Sequence, residues 1–274
     1  LYRRINIFMI KRKLWVFGDS YGVHLYEDPK KKTEWFWAYQ LAKQLGCSEY
    51  INRSGMGVGN EYIQYQINQQ SKSIKPEDYV IVISSSISRQ WLIYDSPHLS
   101  NFHVGNLQKI IPRETYEAIR MYATHLMFDE RNCLQFAAML GWVHYMTDKH
   151  NWNTIVVPGF ENKGFPVNHK YNVHGSLFDI CYDEFKTSKD EVWFYNDFCK
   201  TRDNRAGHII KNNHYILTEK LVDTLTNGTD LRLDQGFEKN CISKDNVNFL
   251  TGQLSEAPRA DSGAYASGAK AVTF

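Results

Sequence analysis

Four short apolar runs, Leu14–Phe17, Tyr50–Ile51, Tyr79–Ile83 and Thr154–Val157, do most to limit what this chain can fold into. None alternates regularly with polar residues, so each reads as a strand covered on both faces and not as one with a face in water. Helical patterns fill the intervals. Residues 34–45 put Ala38, Leu41, Ala42 and Leu45 on one face and stop at Gly46. After the glycine-rich stretch Asn52–Asn60, a polar helix turns Ile63 and Ile67 inward. Residues 114–149 keep a helical period over a length that implies a bend or two helices, and Asn212–Leu225 reads as a last helix with Ile216, Leu217, Leu221 and Leu225 inside. Strands alternating with helices argue for a parallel sheet covered on both sides.

The 274 residues suit one large domain, and a 43% hydrophobic content is enough to build its core. A formal charge of +2 gives no electrostatic case for a nucleic-acid partner. The triplets Lys11-Arg12-Lys13 and Lys30-Lys31-Lys32 read as solvated flanks. The five scattered cysteines form no Cys-x-x-Cys pair, which argues against structural zinc or a dense disulfide framework. No apolar run is long enough to cross a membrane. Residues Ile5–Ile10 are too short for a secretory core and carry their basic residues on the wrong side, so a cytoplasmic location is favoured. Composition changes after Gly228, and residues 256–269 are rich in small residues without a period. The expected division is a catalytic domain over 12–228 and a C-terminal extension or tail over 229–274 that is not an independent domain.

The first strand ends abruptly at Gly18-Asp19-Ser20. In an open α/β sheet, residues at the carboxyl end of such a strand face a ligand crevice, and a serine there becomes a nucleophile if a histidine can deprotonate it. A serine in this place also serves as a simple turn or helix cap. The segment Arg202–His214, at the entry to the last helix, supplies His208 as a candidate partner.

With these residues the chain resembles the SGNH hydrolases, the GDSL esterase/lipase family. Gly18-Asp19-Ser20 matches the nucleophile block. Asn52 followed five residues later by Gly57 is similar to the second block, and the spacing of His208 and His214 is that of the last. The third block, Gly-x-Asn-Asp, is replaced by Ile83-Ser84-Ser85-Ser86, which puts Ser86 where the oxyanion asparagine would stand. The position three before His208 is Arg205, so Asp203 is the available acid. The resemblance implies a three-layer α/β/α sandwich with a flavodoxin-like parallel sheet, and a serine esterase that needs no cofactor or metal. Ser20 would be the nucleophile, His208 the base and Asp203 its orienting acid. The oxyanion hole would comprise Ser20, Gly57 and Ser86, with Asn60 or Arg89 as auxiliaries. Asp19 would shape the turn, and His214 would be a structural hydrogen-bonding residue. The expected substrate is a small-molecule or glycan ester, with no nucleic-acid or membrane partner. The alternative is a catalytically impaired relative that binds a glycan or protein.

Other constellations carry less. The acidic region Asp179–Glu191, with His169 and His174 upstream, lacks the His pairing of a metal site. Gly55, Gly57 and Gly59 follow the second strand, without the spacing of a dinucleotide loop. Of the aromatic residues, Trp91, Tyr94, Trp152, Phe160, Tyr171 and Phe178 are candidates to line a cleft, although rings of this kind chiefly fill cores.

Overall fold

Among Leu14, Trp15, Val16 and Phe17 the one polar side-chain group is the Trp15 indole N–H, so both faces of the strand must be covered. A computed structural model, which describes residues 11–23, 34–93, 95, 111–160, 170–183, 209, 211–238 and 271–273, shows how this is done. The elements run β1 (Lys13–Phe17), α1 (Trp37–Gln44), β2 (Glu49–Asn52), α2 (Asn60–Gln70), β3 (Tyr79–Ser84), α3 (Arg113–His125), α4 (Asp129–His150) and β4 (Asn153–Pro158). They continue with β5 (Val173–His174), α5 (Leu177–Asp183), α6 (Lys211–Asn227), β6 (Leu231–Arg232) and β7 (Ala271–Thr273).

Strands β2-β1-β3-β4 are parallel, and β7 adds antiparallel to the outer edge of β2. Register pairs Trp15 with Ile51 on one side and Val80 on the other. Alternate strand residues enter two apolar clusters. Leu14, Val16, Ile81, Ile83, Ile155 and Val157 pack with Trp37 and Leu41 of α1 and with Leu217 and Leu221 of α6. Trp15, Phe17, Val80, Val82 and Val156 pack with Ile63 and Ile67 of α2 and with Phe136, Met139 and Val143 of α4. The fold is therefore α/β, as the alternation of patterns implies.

The helix ends follow local chemistry. Gly46, at φ 64°, closes α1: its N–H reaches the Lys43 carbonyl and the Cys47 N–H reaches that of Ala42. That pair of bonds is the Schellman arrangement, which favours a residue without a side chain. The long helical stretch is indeed two helices, interrupted at residues 126–128, and Asn151 in the left-handed region (φ 53°) turns the second into β4. Strand β7 was not marked by the sequence pattern, because three residues are too few to show a period. Strand β6 pairs parallel with β5, while Leu231, Leu233 and Phe237 join the apolar cluster on the α1–α6 side. Among the described residues, no helix is long and apolar enough to cross a membrane, and no cluster of His, Cys, Asp and Glu is arranged to hold a metal.

At the amino ends of the strands, Asp78 is fully buried and does the joining. Its carboxylate accepts the Lys13 N–H (2.8 Å), the Trp15 indole N–H (3.0 Å) and the Lys75 N–H (3.0 Å), tying β1 to the entry of β3. Replacing it removes the acceptor for three donors at once. Asp78→Ala is expected to lower stability by about 2–4 kcal/mol in urea unfolding, and Asp78→Asn by less, since an amide oxygen still accepts.

Candidate functional site

The site lies where β1 and β3 end side by side. The connections from these neighbours diverge to opposite faces of the sheet: β1 leads to α1, while β3 leads on towards α4. Such a switch point leaves a crevice at the strands' carboxyl ends. Gly18 lets the chain leave β1 there, since a Cβ at this position would meet the Ile83 Cβ at 2.6 Å. The next residues form a tight turn. The Gly22 N–H donates to the Asp19 carbonyl (3.0 Å), the Val23 N–H to the Ser20 carbonyl (3.3 Å) and the Tyr21 N–H to Asp19 Oδ1 (3.1 Å). Short polar side chains favour such turns because they satisfy a backbone donor two residues on. Ser20 sits in the turn at 8% exposure.

Three supports hold the turn. First, Asn52 at the end of β2 donates to the Gly22 carbonyl (2.6 Å) and accepts the Ser54 N–H (2.9 Å). Its amide also reaches the Tyr50 hydroxyl (2.8 Å), whose ionisation burial pushes far up. Second, the indole N–H of Trp37 donates to the Tyr21 carbonyl (3.0 Å), and the Trp37 backbone N–H donates to His214 Nδ1 (3.4 Å). His214 is itself buried, against the rings of Trp35 and Phe36. Third, Asp19 is buried completely, and its Oδ2 accepts Arg89 Nη1 (2.9 Å) and the Ser85 hydroxyl (3.3 Å). Arg89 Nη1 also donates to Ser85 Oγ (3.1 Å), and its guanidinium lies 4.8 Å from the centre of the Phe160 ring. Phe160 in turn meets Tyr21 edge-on.

The predicted site residues distribute unevenly over this framework. Ser20, Asp19 and Arg89 come together. Gly57 follows β2 with φ 67°, a conformation that favours glycine. Ser86 is half-buried, and its hydroxyl is 2.9 Å from that of Ser88. Asn60, the first residue of α2, is spent on the loop after β3: its Oδ1 accepts the Ser85 N–H (2.8 Å) and its Nδ2 donates to the Ser85 carbonyl (3.0 Å). His208 and Asp203 lie outside the described residues, but Ile209 packs in the same apolar cluster as Tyr21. Of the aromatic candidates, Trp152 and Tyr171 are core residues, Phe160 and Phe178 pack together against the core, and Trp91 meets Tyr62 edge-on and Tyr65 at a tilt. Tyr94 lies outside the described residues.

Sequence reading missed Ser85 and Asn52 as supports of the turn. Nothing in Ser84-Ser85-Ser86 distinguishes the serine that faces Asp19, because that depends on how the loop leaves β3. Asn52 did carry a signal, as the polar residue that ends β2.

Beside Arg89 a small cleft is lined by Glu61, Gln64, Gln90 and Asn132 together with the apolar Ile87, Phe136 and Met139. The carboxylate of Glu61 accepts the Trp91 N–H (3.1 Å), but burial outweighs that bond and raises its pKa from 4.5. No protein-family model matches the chain, and no curated protein matches it significantly.

Two outcomes follow from these contacts. Asn60→Ala strands the buried Ser85 N–H and is expected to cost about 1–3 kcal/mol in chemical unfolding. Glu61 holds its proton more firmly folded than unfolded, so its contribution is fully present below the unfolded pKa and is lost as pH rises through the folded one. Glu61→Gln should therefore gain stability relative to wild type as the pH rises above the ordinary Glu value of 4.5, read as diverging urea midpoints.

Proposed function

We propose that this protein is a serine esterase of the SGNH type, and that its fold is the flavodoxin-like three-layer α/β/α sandwich of that family. The observation that carries the reading is the placement of Ser20: in a braced turn at the carboxyl end of β1, beside β3, at the switch point of the sheet. The strand order β2-β1-β3-β4, with apolar clusters on both faces, supports the fold assignment. The segment entering α6 supports the assignment of the base. Ile209 shares a cluster with Tyr21, and His214 is linked through Trp37 to the Tyr21 carbonyl.

In this mechanism Ser20 Oγ attacks the ester carbonyl while His208 takes its proton, and Asp203 holds the imidazole tautomer. The tetrahedral oxyanion accepts the backbone N–H groups of Ser20 and Gly57. His208 returns the proton to the departing alcohol, then activates water against the acyl-enzyme. The substrate proposed is a small acyl group on a polar or carbohydrate-like alcohol.

One observation favours a second reading, a non-hydrolytic binding protein for a glycan or protein. Asn60 is engaged with the Ser85 backbone, so its amide is not set out as the additional oxyanion donor that the missing third block would supply.

Hydrolysis of p-nitrophenyl acetate by wild type and by Ser20→Ala, both verified as folded, separates the two. The esterase reading expects a rate well above background that falls about a thousandfold or more in the variant. Equal rates near background favour the binding protein.

A further inference from the structure

We propose that Arg89 is a positioning residue for Ser20, holding the nucleophile turn through Asp19; the inference rests on the esterase reading. Arg89 is placed independently of β1. Its backbone N–H closes a turn onto the Ser86 carbonyl (3.1 Å), and its guanidinium lies over Phe160, just beyond β4. From there Nη1 reaches Asp19 Oδ2 at 2.9 Å. Asp19 precedes Ser20 in the chain, and its other oxygen accepts the N–H of Tyr21, which follows Ser20. One carboxylate thus grips the chain on both sides of the nucleophile, and one guanidinium grips the carboxylate.

The charge matters as much as the grip. A buried carboxylate without a counter-charge, next to Ser20, opposes the negative charge that builds on the reacting oxygens during attack. The Arg89 guanidinium cancels it. Arg89 is itself only 8% exposed, with Nη1 committed to Asp19 and Ser85, so this nitrogen acts on the reaction through Asp19.

The test compares p-nitrophenyl acetate kinetics and the rate of Ser20 labelling by a fluorophosphonate in wild type, Arg89→Met, Arg89→Lys and Asp19→Asn/Arg89→Met, each checked for folding. Arg89→Met is expected to lower kcat and the labelling rate about 100-fold with KM little changed, the size of loss that misplacement of a reacting group produces. The double variant, with no buried charge left uncompensated, should recover at least about tenfold over Arg89→Met. Arg89→Lys keeps the charge but loses the planar contact with Phe160, and should fall about tenfold in kcat. If Arg89→Met does not fold, Arg89→Lys decides: lowered kcat at unchanged KM supports the assignment. Folded Arg89 variants with wild-type kcat and labelling overturn it, as does a change confined to KM, which would make Arg89 a substrate-binding group. A wild-type protein that neither hydrolyses the ester nor takes label at Ser20 overturns the esterase reading and this inference together.

Discussion

Strand β1 is enclosed on every side, and the rest of the structure is arranged around that enclosure. Its edges are hydrogen-bonded to β2 and β3, and its side chains alternate into apolar clusters capped by α1 and α6 on one face and by α2 and α4 on the other. Leu14, Val16 and Phe17 have no measurable exposure. Full burial of such side chains is worth about 1.5–3 kcal/mol each relative to water, so the strand has little freedom to slip or rotate. A chain leaving so constrained a strand starts from a fixed point. Residues 18–22 inherit that precision.

The turn built on this point includes a charge that would be unfavourable alone. Removing a carboxylate from water costs several kcal/mol even after the protein relaxes, and attraction to a counter-charge offsets this only when geometry and further hydrogen bonds are good. Asp19 meets those conditions with a guanidinium nitrogen, a serine hydroxyl and a backbone N–H. Those partners come from the loop after β3 and from the turn itself, while Phe160 beyond β4 backs the guanidinium. The ion pair thereby couples the ends of separate strands. Its specificity for one arrangement of the crevice is a stronger consequence than any net stabilisation.

A second line of contacts reaches the same turn from α1 and α6. Trp37 uses its indole on the Tyr21 carbonyl and its backbone N–H on His214, while Thr218 donates to the Trp37 carbonyl (3.1 Å). The start of α1 and the first turns of α6 are thus locked together directly behind Ser20. Displacement of α6 would be transmitted to the turn at Ser20 through one residue.

By itself the sequence determined the four parallel strands and the longer helices packed on them, because the apolar patterns of 14–17, 79–83, 154–157 and 212–225 each have only one way to hide from water, whereas the short elements β5, α5, β6 and β7 carry no such pattern. It also singled out Ser20, since the end of an apolar run at Gly-Asp-Ser marks the carboxyl end of a strand. Only the tertiary structure decided which polar groups meet there. Asp19 and Arg89 are 70 positions apart, and nothing in their neighbours' pattern requires them to pair. Ser84, Ser85 and Ser86 are chemically identical, so the choice of Ser85 as the partner of Asp19 came from the loop path that Asn60 imposes. The edge strand Ala271–Thr273 likewise became a strand only because β2 offered it unpaired backbone groups, a property of the assembled sheet and not of three residues.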